Sequence, residues 1–293
     1  MNVKKLLNQL IKLFLVLNLV LFIMNGVNLS TEYLLSQERI TYIYELLSRE
    51  GIEIESELER DFSPKRTADL IYRGDGLSVR NEMIKNFFED DLVSVKRSKS
   101  NSKQHPGDEV WHYTLGGETL SFDRYELRYE NSDIENSKVP LSLKEAKHLC
   151  ESLMSRIGMK IDRNQYIIES QEHHTYWQLN YYYKLEGLPV LDLYMTFKVQ
   201  SEGISSATMY LGEIEITSQT GQVIYPVDLV LFGIEEELLK EGHKRISKVS
   251  MAYKKLEEED TIWGQKIVPV YKIEIDGLEE PLFVNAYTNK ILD

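Results

Sequence analysis

Residues Val268–Asp293 read VPVYKIEIDGLEEPLFVNAYTNKILD and keep apolar, strand-forming residues up to Leu292. The last residues of a domain fray in water unless something ties them down. A terminus of this composition therefore belongs to a sheet. Asp276-Gly277 supplies a turn between two strands. On the second strand both alternating faces carry apolar groups, Val284 and Ala286 on one and Phe283 and Tyr287 on the other. A strand of that kind is covered on both faces, so removing it would expose core.

The same patterns extend upstream. Ser36 is placed to cap a helix carrying Ile40, Ile43, Tyr44 and Leu47 and stopping at Gly51. Ile52, Ile54 and Ser56 then alternate with glutamates as in a short strand, and a second helix is predicted from Val79 to Phe88. Gly116-Gly117 between two alternating runs marks a hairpin. Ser142 and Glu145 form a capping-box pattern ahead of Ala146, Leu149, Cys150, Leu153 and Ile157, with Gly158 at the stop. Aromatic and β-branched runs between turn signals follow, then a helix over about Asp228 to Lys240, then the closing strands. Runs of strands after each helix predict an α+β fold, with helices packed on antiparallel sheets in a repeated helix-plus-meander unit.

At 293 residues, with 42% hydrophobic content, the chain can bury a sizeable core. A formal net charge of -13 repels phosphate backbones and argues against nucleic-acid binding. The single cysteine, Cys150, forms no internal disulfide. Residues 10–29, LIKLFLVLNLVLFIMNGVNL, have the length and apolar character of a transmembrane helix. Lys4, Lys5 and Lys12 precede the apolar core, which puts residues 1–9 in the cytoplasm and the rest of the chain outside the cell membrane. A cleavable signal peptide is the competing reading, although MNGVNLSTEY offers no small-residue cleavage pattern. Asn18 and Asn25, flanked by Phe14 and Leu21, share one stripe of that helix and would hydrogen-bond a partner helix, or else are tolerated polar residues near the membrane surface. The predicted segments are a membrane-proximal subdomain at 30–93, an exposed Ser/Lys/Asn-rich loop at 94–108 and an α+β domain at 109–293.

Three stretches together resemble the YycI type of two-component-system regulatory proteins, which share a related fold with their YycH companions. They are the Leu-, Phe- and Asn-rich N-terminal anchor, YWQLNYYYKLEGLPVLD, and the closing VPVYKIEI with LFVNAYTNKI. The signature positions are Pro269, Tyr271, Val284, Asn285, Ala286 and Thr288, and Asn289 stands where the family has glycine, a substitution asparagine tolerates. The resemblance implies a membrane-anchored extracytoplasmic protein that restrains a sensor histidine kinase governing cell-wall metabolism. Its implied partners are that kinase, a YycH-like companion and the lipid bilayer through residues 10–29. It implies no catalytic residue and no cofactor.

Catalytic signals are weak. His173 and His174 are adjacent, so on a strand they face opposite ways and make a poor metal pair. His148 and Cys150 lie about 200° apart around a helix. There is no Gly-x-Ser-x-Gly, phosphate loop or dinucleotide fingerprint. The alternative function is an extracytoplasmic binding module or protease inhibitor of the PepSY-like, helix-plus-sheet type.

Overall fold

The computed structural model describes residues 13–19, 32–72, 77–89, 93–102, 108–134, 141–159, 162–240, 245–261 and 264–292. Helix α1 (Gln37–Arg49) leads into strands β1 (Glu53–Ile54) and β2 (Ala68–Tyr72). Helix α2 (Leu77–Phe88) precedes β3 (Lys96–Asn101), β4 (Glu109–Leu115), β5 (Glu118–Asp123) and β6 (Glu126–Asn131). Helix α3 (Leu143–Ile157) precedes β7 (Tyr166–Glu172), β8 (Trp177–Leu185), β9 (Leu188–Gln200), β10 (Gly203–Tyr210) and β11 (Gly212–Ile216). Helix α4 (Val227–Lys240) is followed by β12 (Arg245–Thr261), β13 (Gly264–Ile275), β14 (Leu282–Asn285) and β15 (Lys290–Leu292).

The predicted fold class is overturned in two respects. The strands do not form separate antiparallel sheets in a repeated unit. Among the described residues they join one mixed sheet of fifteen strands, with a central path β11-β2-β13-β12-β9-β10-β6-β5-β4-β3. Strand β12 runs parallel to both β1 and β9. Turn residues betray antiparallel neighbours, whereas a parallel pair joins strands distant in sequence and leaves no local mark. The second correction concerns the predicted transmembrane helix: among the described residues no helix is long and apolar enough to cross a membrane. Of residues 10–29 the structure describes 13–19, which are helical and exposed.

Two compact units divide the chain, and their boundaries cut across the predicted segments 30–93 and 109–293. One comprises Met1–Lys65, Gly221–Ser250 and Tyr271–Asp293; the other comprises Arg66–Thr220 and Met251–Val270. Within the predicted loop at 94–108, Lys96–Asn101 form β3, exposed at every position and paired in register with β4. A strand with no apolar face has no alternation to detect, so composition concealed it.

In the second unit α2 and α3 pack on the sheet. Ala146, Cys150, Leu153 and Ile157 of α3 meet Leu120, Leu127, Leu179 and Phe197 of the strands. The capping box forms as predicted, with Ser142 accepting from Glu145 N, and Gly158 ends the helix in the left-handed conformation. Arg156 fastens the layer: its guanidinium donates to Glu118 at 2.7 and 2.5 Å, and it lies 3.8 Å from the centroid of the Phe87 ring. Tyr129 donates to the same carboxylate at 2.8 Å. The opposite face of the sheet is polar, with His112, Ser121, Arg128, Thr208, Thr196 and Asn180 standing opposite one another across successive strands.

Candidate functional site

The first unit is built around α1 and α4, which pack together. Ile40, Ile43 and Leu47 of α1 are buried, as are Val227, Val230, Leu231, Ile234 and Leu238 of α4. Both sets recur at helical spacing, the pattern of a helix that buries one face. A bidentate pair locks the helices: Arg39 donates from Nε and Nη2 to Asp228 at 2.8 and 2.9 Å. Such forked guanidinium–carboxylate pairs fix orientation as well as distance.

The outer side of α4 is also apolar. Leu229, Phe232 and Leu239 are 45%, 57% and 43% exposed. Their spacing of three and seven residues lines them along one stripe, about 15 Å long at 1.5 Å per residue. Glu236 lies between Phe232 and Leu239 on the same side, and Glu235 is next to it. Leucine and phenylalanine side chains offer no proton or lone pair to a reaction. What they offer is surface from which water can be displaced, about 2–4 kcal/mol for these three if a partner covers the exposed halves.

The C-terminal segment holds that helix in place. The Tyr271 hydroxyl donates to Tyr225 O at 2.8 Å, and Tyr225 N donates to Ala286 O at 2.7 Å, fixing the chain that enters α4. Burial, followed by the charge of Asp228, raises the Tyr271 pKa, so the hydroxyl stays protonated and remains a donor. Past Asn285 the chain turns back: Asn285 O accepts from Asn289 N at 2.9 Å, and Asn285 Oδ1 accepts from Tyr287 N at 2.9 Å. Asn289 adopts φ 55° and donates from Nδ2 to Leu229 O at 3.3 Å, on the first turn of α4.

These contacts locate the residues singled out in the sequence. Tyr271, Val284, Asn285 and Ala286 are buried in the first unit, while Thr288 is exposed on the terminal turn. Pro269 is buried in the second unit. Phe14 and Asn18 are exposed on the helical residues 13–19, and Leu21 and Asn25 lie outside the described residues. The outer stripe of α4 is the feature that periodicity missed. The signal was present in VDLVLFGI, where apolar residues occupy both sides of the helix instead of one.

His112 was also passed over. Its Nε2 lies 2.8 Å from Ser100 Oγ and its Nδ1 lies 2.8 Å from Ser121 Oγ, so one imidazole bridges β3, β4 and β5. Cross-strand side-chain pairs of this kind stabilise a sheet. His173 stacks on Tyr176 with centroids 4.4 Å apart. Among the described residues no group of three or more His, Cys, Asp or Glu is arranged to hold a metal ion.

No family model matches the chain, and no curated protein matches it. Among solved structures it is similar to an uncharacterized protein from Eubacterium rectale, at 12% identity over 83% of this chain and 89% of that one, with a TM-score of 0.52. That likeness shows the fold alone. A slighter similarity, at 13% identity and a TM-score of 0.39, joins 75% of this chain to 97% of the Bacillus megaterium YpeB C-terminal domain.

Proposed function

We propose that the protein acts by contact and not by turnover, as a binding module that docks a partner protein on the outer stripe of α4. The observation carrying this reading is the alignment of Leu229, Phe232 and Leu239, three large apolar side chains about half exposed on one helix. Scattered surface apolar residues need no explanation, but an aligned set beside polar neighbours is characteristic of interaction sites. A partner helix fits the length of the stripe, and Glu235 and Glu236 favour one that brings lysine or arginine beside its apolar residues.

The resemblance in the terminal segment supplies the finer identity. The proposed partner is a membrane sensor histidine kinase controlling cell-wall metabolism, joined by a YycH-like companion, with contact made at the outer face of the cell membrane. The module restrains the kinase by binding its inactive form better. A preference of about 1.4 kcal/mol shifts the ratio of the two forms tenfold, which one well-packed aromatic contact can supply.

Phe232→Glu tests the proposal. The side chain is mostly solvated, so the variant's stability stays within about 0.5 kcal/mol of the parent. Calorimetric titration against the purified kinase should show at least tenfold weaker binding. Equal affinity for parent and variant would remove α4 as the docking face.

A further inference from the structure

Strand β3 stands at one end of the sheet path, within the second unit, and among the described residues its one paired neighbour is β4. Lys96–Asn101 run antiparallel to β4 without a shift of register, from Lys96 opposite Thr114 to Asn101 opposite Glu109. In an antiparallel pair the backbone groups of alternate residues turn toward the neighbour and the others turn away. The outer edge of β3 therefore presents a row of N–H and C=O groups about 20 Å long, and every residue along it is exposed.

The side chains give that edge a sign. KRSKSN holds three cations and no carboxylate, in a chain whose formal net charge is -13. Among the described residues Lys96 and Arg97 form no ion pair, and Lys99 shares its charge with Glu109 at 2.6 Å. Arg97 and Lys99 stand opposite Tyr113 and Trp111, so all four side chains share one face of the sheet. The Lys99 ammonium lies 3.9 Å from the centroid of the Trp111 ring, and the Arg97 guanidinium lies 6.0 Å from it and 5.2 Å from that of Tyr113. Arg80 of α2 lies over the same Trp111 ring at 4.9 Å, and its Nε is buried with no hydrogen-bond partner. The rings hold these cations in place without neutralising them.

We infer that β3 is a docking edge for an acidic, extended segment of a partner protein, which adds to the sheet as a further strand and places Glu or Asp at every second position beside Arg97 and Lys99. In strand addition the main-chain hydrogen bonds supply affinity and the alternate side chains supply selectivity. Lysine and arginine on an edge strand discourage pairing between like edges, because like charges opposite one another destabilise a sheet. The same charges favour an acidic strand, whose carboxylates meet opposite charge across the new ladder.

The capped peptide TEVEVET alternates glutamate with strand-forming residues, and TKVKVKT keeps the pattern while reversing the charge, so the pair tests the sign. Bound to the full chain, TEVEVET should slow amide hydrogen exchange at alternate residues of Lys96–Asn101 at least tenfold, and TKVKVKT should bind at least tenfold more weakly. Arg97→Glu, at an exposed position with no ion pair to lose, should narrow the gap between the two peptides. Inorganic polyphosphate offers negative charge without a peptide backbone, and it should leave those amides exchanging as they do in the free protein. No binding of TEVEVET, equal binding of the two peptides, or bound TEVEVET with exchange at residues 96–101 unchanged would each overturn the assignment. So would equal slowing by polyphosphate, or slowing of the same amides when the protein alone is concentrated, which would make the occupant a second copy of the chain.

Discussion

Asn289 and Gly233 form one contact between the terminal turn and α4. Asn289 sits at φ 55°, a region asparagine visits more readily than most residues. A Cβ built at Gly233 would stand 2.6 Å from Asn289 Nδ2. The left-handed tolerance of Asn289 was legible in the sequence; its partner, far along the chain on another element, was not. Alanine in place of a helical glycine ordinarily gains about 1 kcal/mol. With Asn289 present, Gly233→Ala must displace the amide from Leu229 O and should gain little. In an Asn289→Gly background, which keeps the backbone angle and removes the side chain, the same change should gain about 0.5–1 kcal/mol more than it does in the parent. Urea melts of the four proteins measure the coupling, and strict additivity would show that the two residues do not touch in solution.

At the scale of elements, local signals served well and distant ones left no trace. The capping box and left-handed glycine of α3 lie within a few residues of the helix ends and follow from turn chemistry. The hairpin at Gly116-Gly117 forms, with Gly116 at φ 60°. The tie between α3 and the sheet was invisible because Arg156 and Glu118 belong to different elements. Burial alone would raise the Glu118 pKa, but hydrogen bonds from Arg156 and Tyr129, with the charge of Arg156, together hold it below the usual carboxylate value. A depressed carboxylate stabilises the fold above its unfolded pKa of about 4.3, and that contribution fades as pH falls through the lower folded value. Glu118→Gln should therefore cost about 1–2 kcal/mol at neutral pH, a range discounted because Arg156 is partly solvated. The gap between parent and variant should close on acidification below about pH 4. A gap that stays constant from neutral to acid pH would show that the ionised carboxylate is not what matters.

For the whole molecule, the decisive segment is the one at the C-terminus. The sequence predicted that Val268–Asp293 completes a sheet, and β13, β14 and β15 do pair there. What the sequence concealed is that the first unit is assembled from three separated stretches, with Arg66–Thr220 inserted between the first two. Periodicity and turn signals act over a few residues and contain no record of which distant stretches will share a core. The parallel course of β12 was hidden for the same reason. In the assembled unit Tyr271, Ala286 and Asn289 hold the start of α4, and α4 presents Leu229, Phe232 and Leu239 outward. The central claim is that this stripe meets a sensor kinase. A photo-crosslinking amino acid at position 232, activated in intact cells expressing the full chain, tests it most directly. The account predicts an adduct identified by mass as a sensor histidine kinase, absent when the same group replaces Tyr42, which is 64% exposed on α1. An adduct at position 232 that contains no kinase, or no adduct there at all, would contradict it.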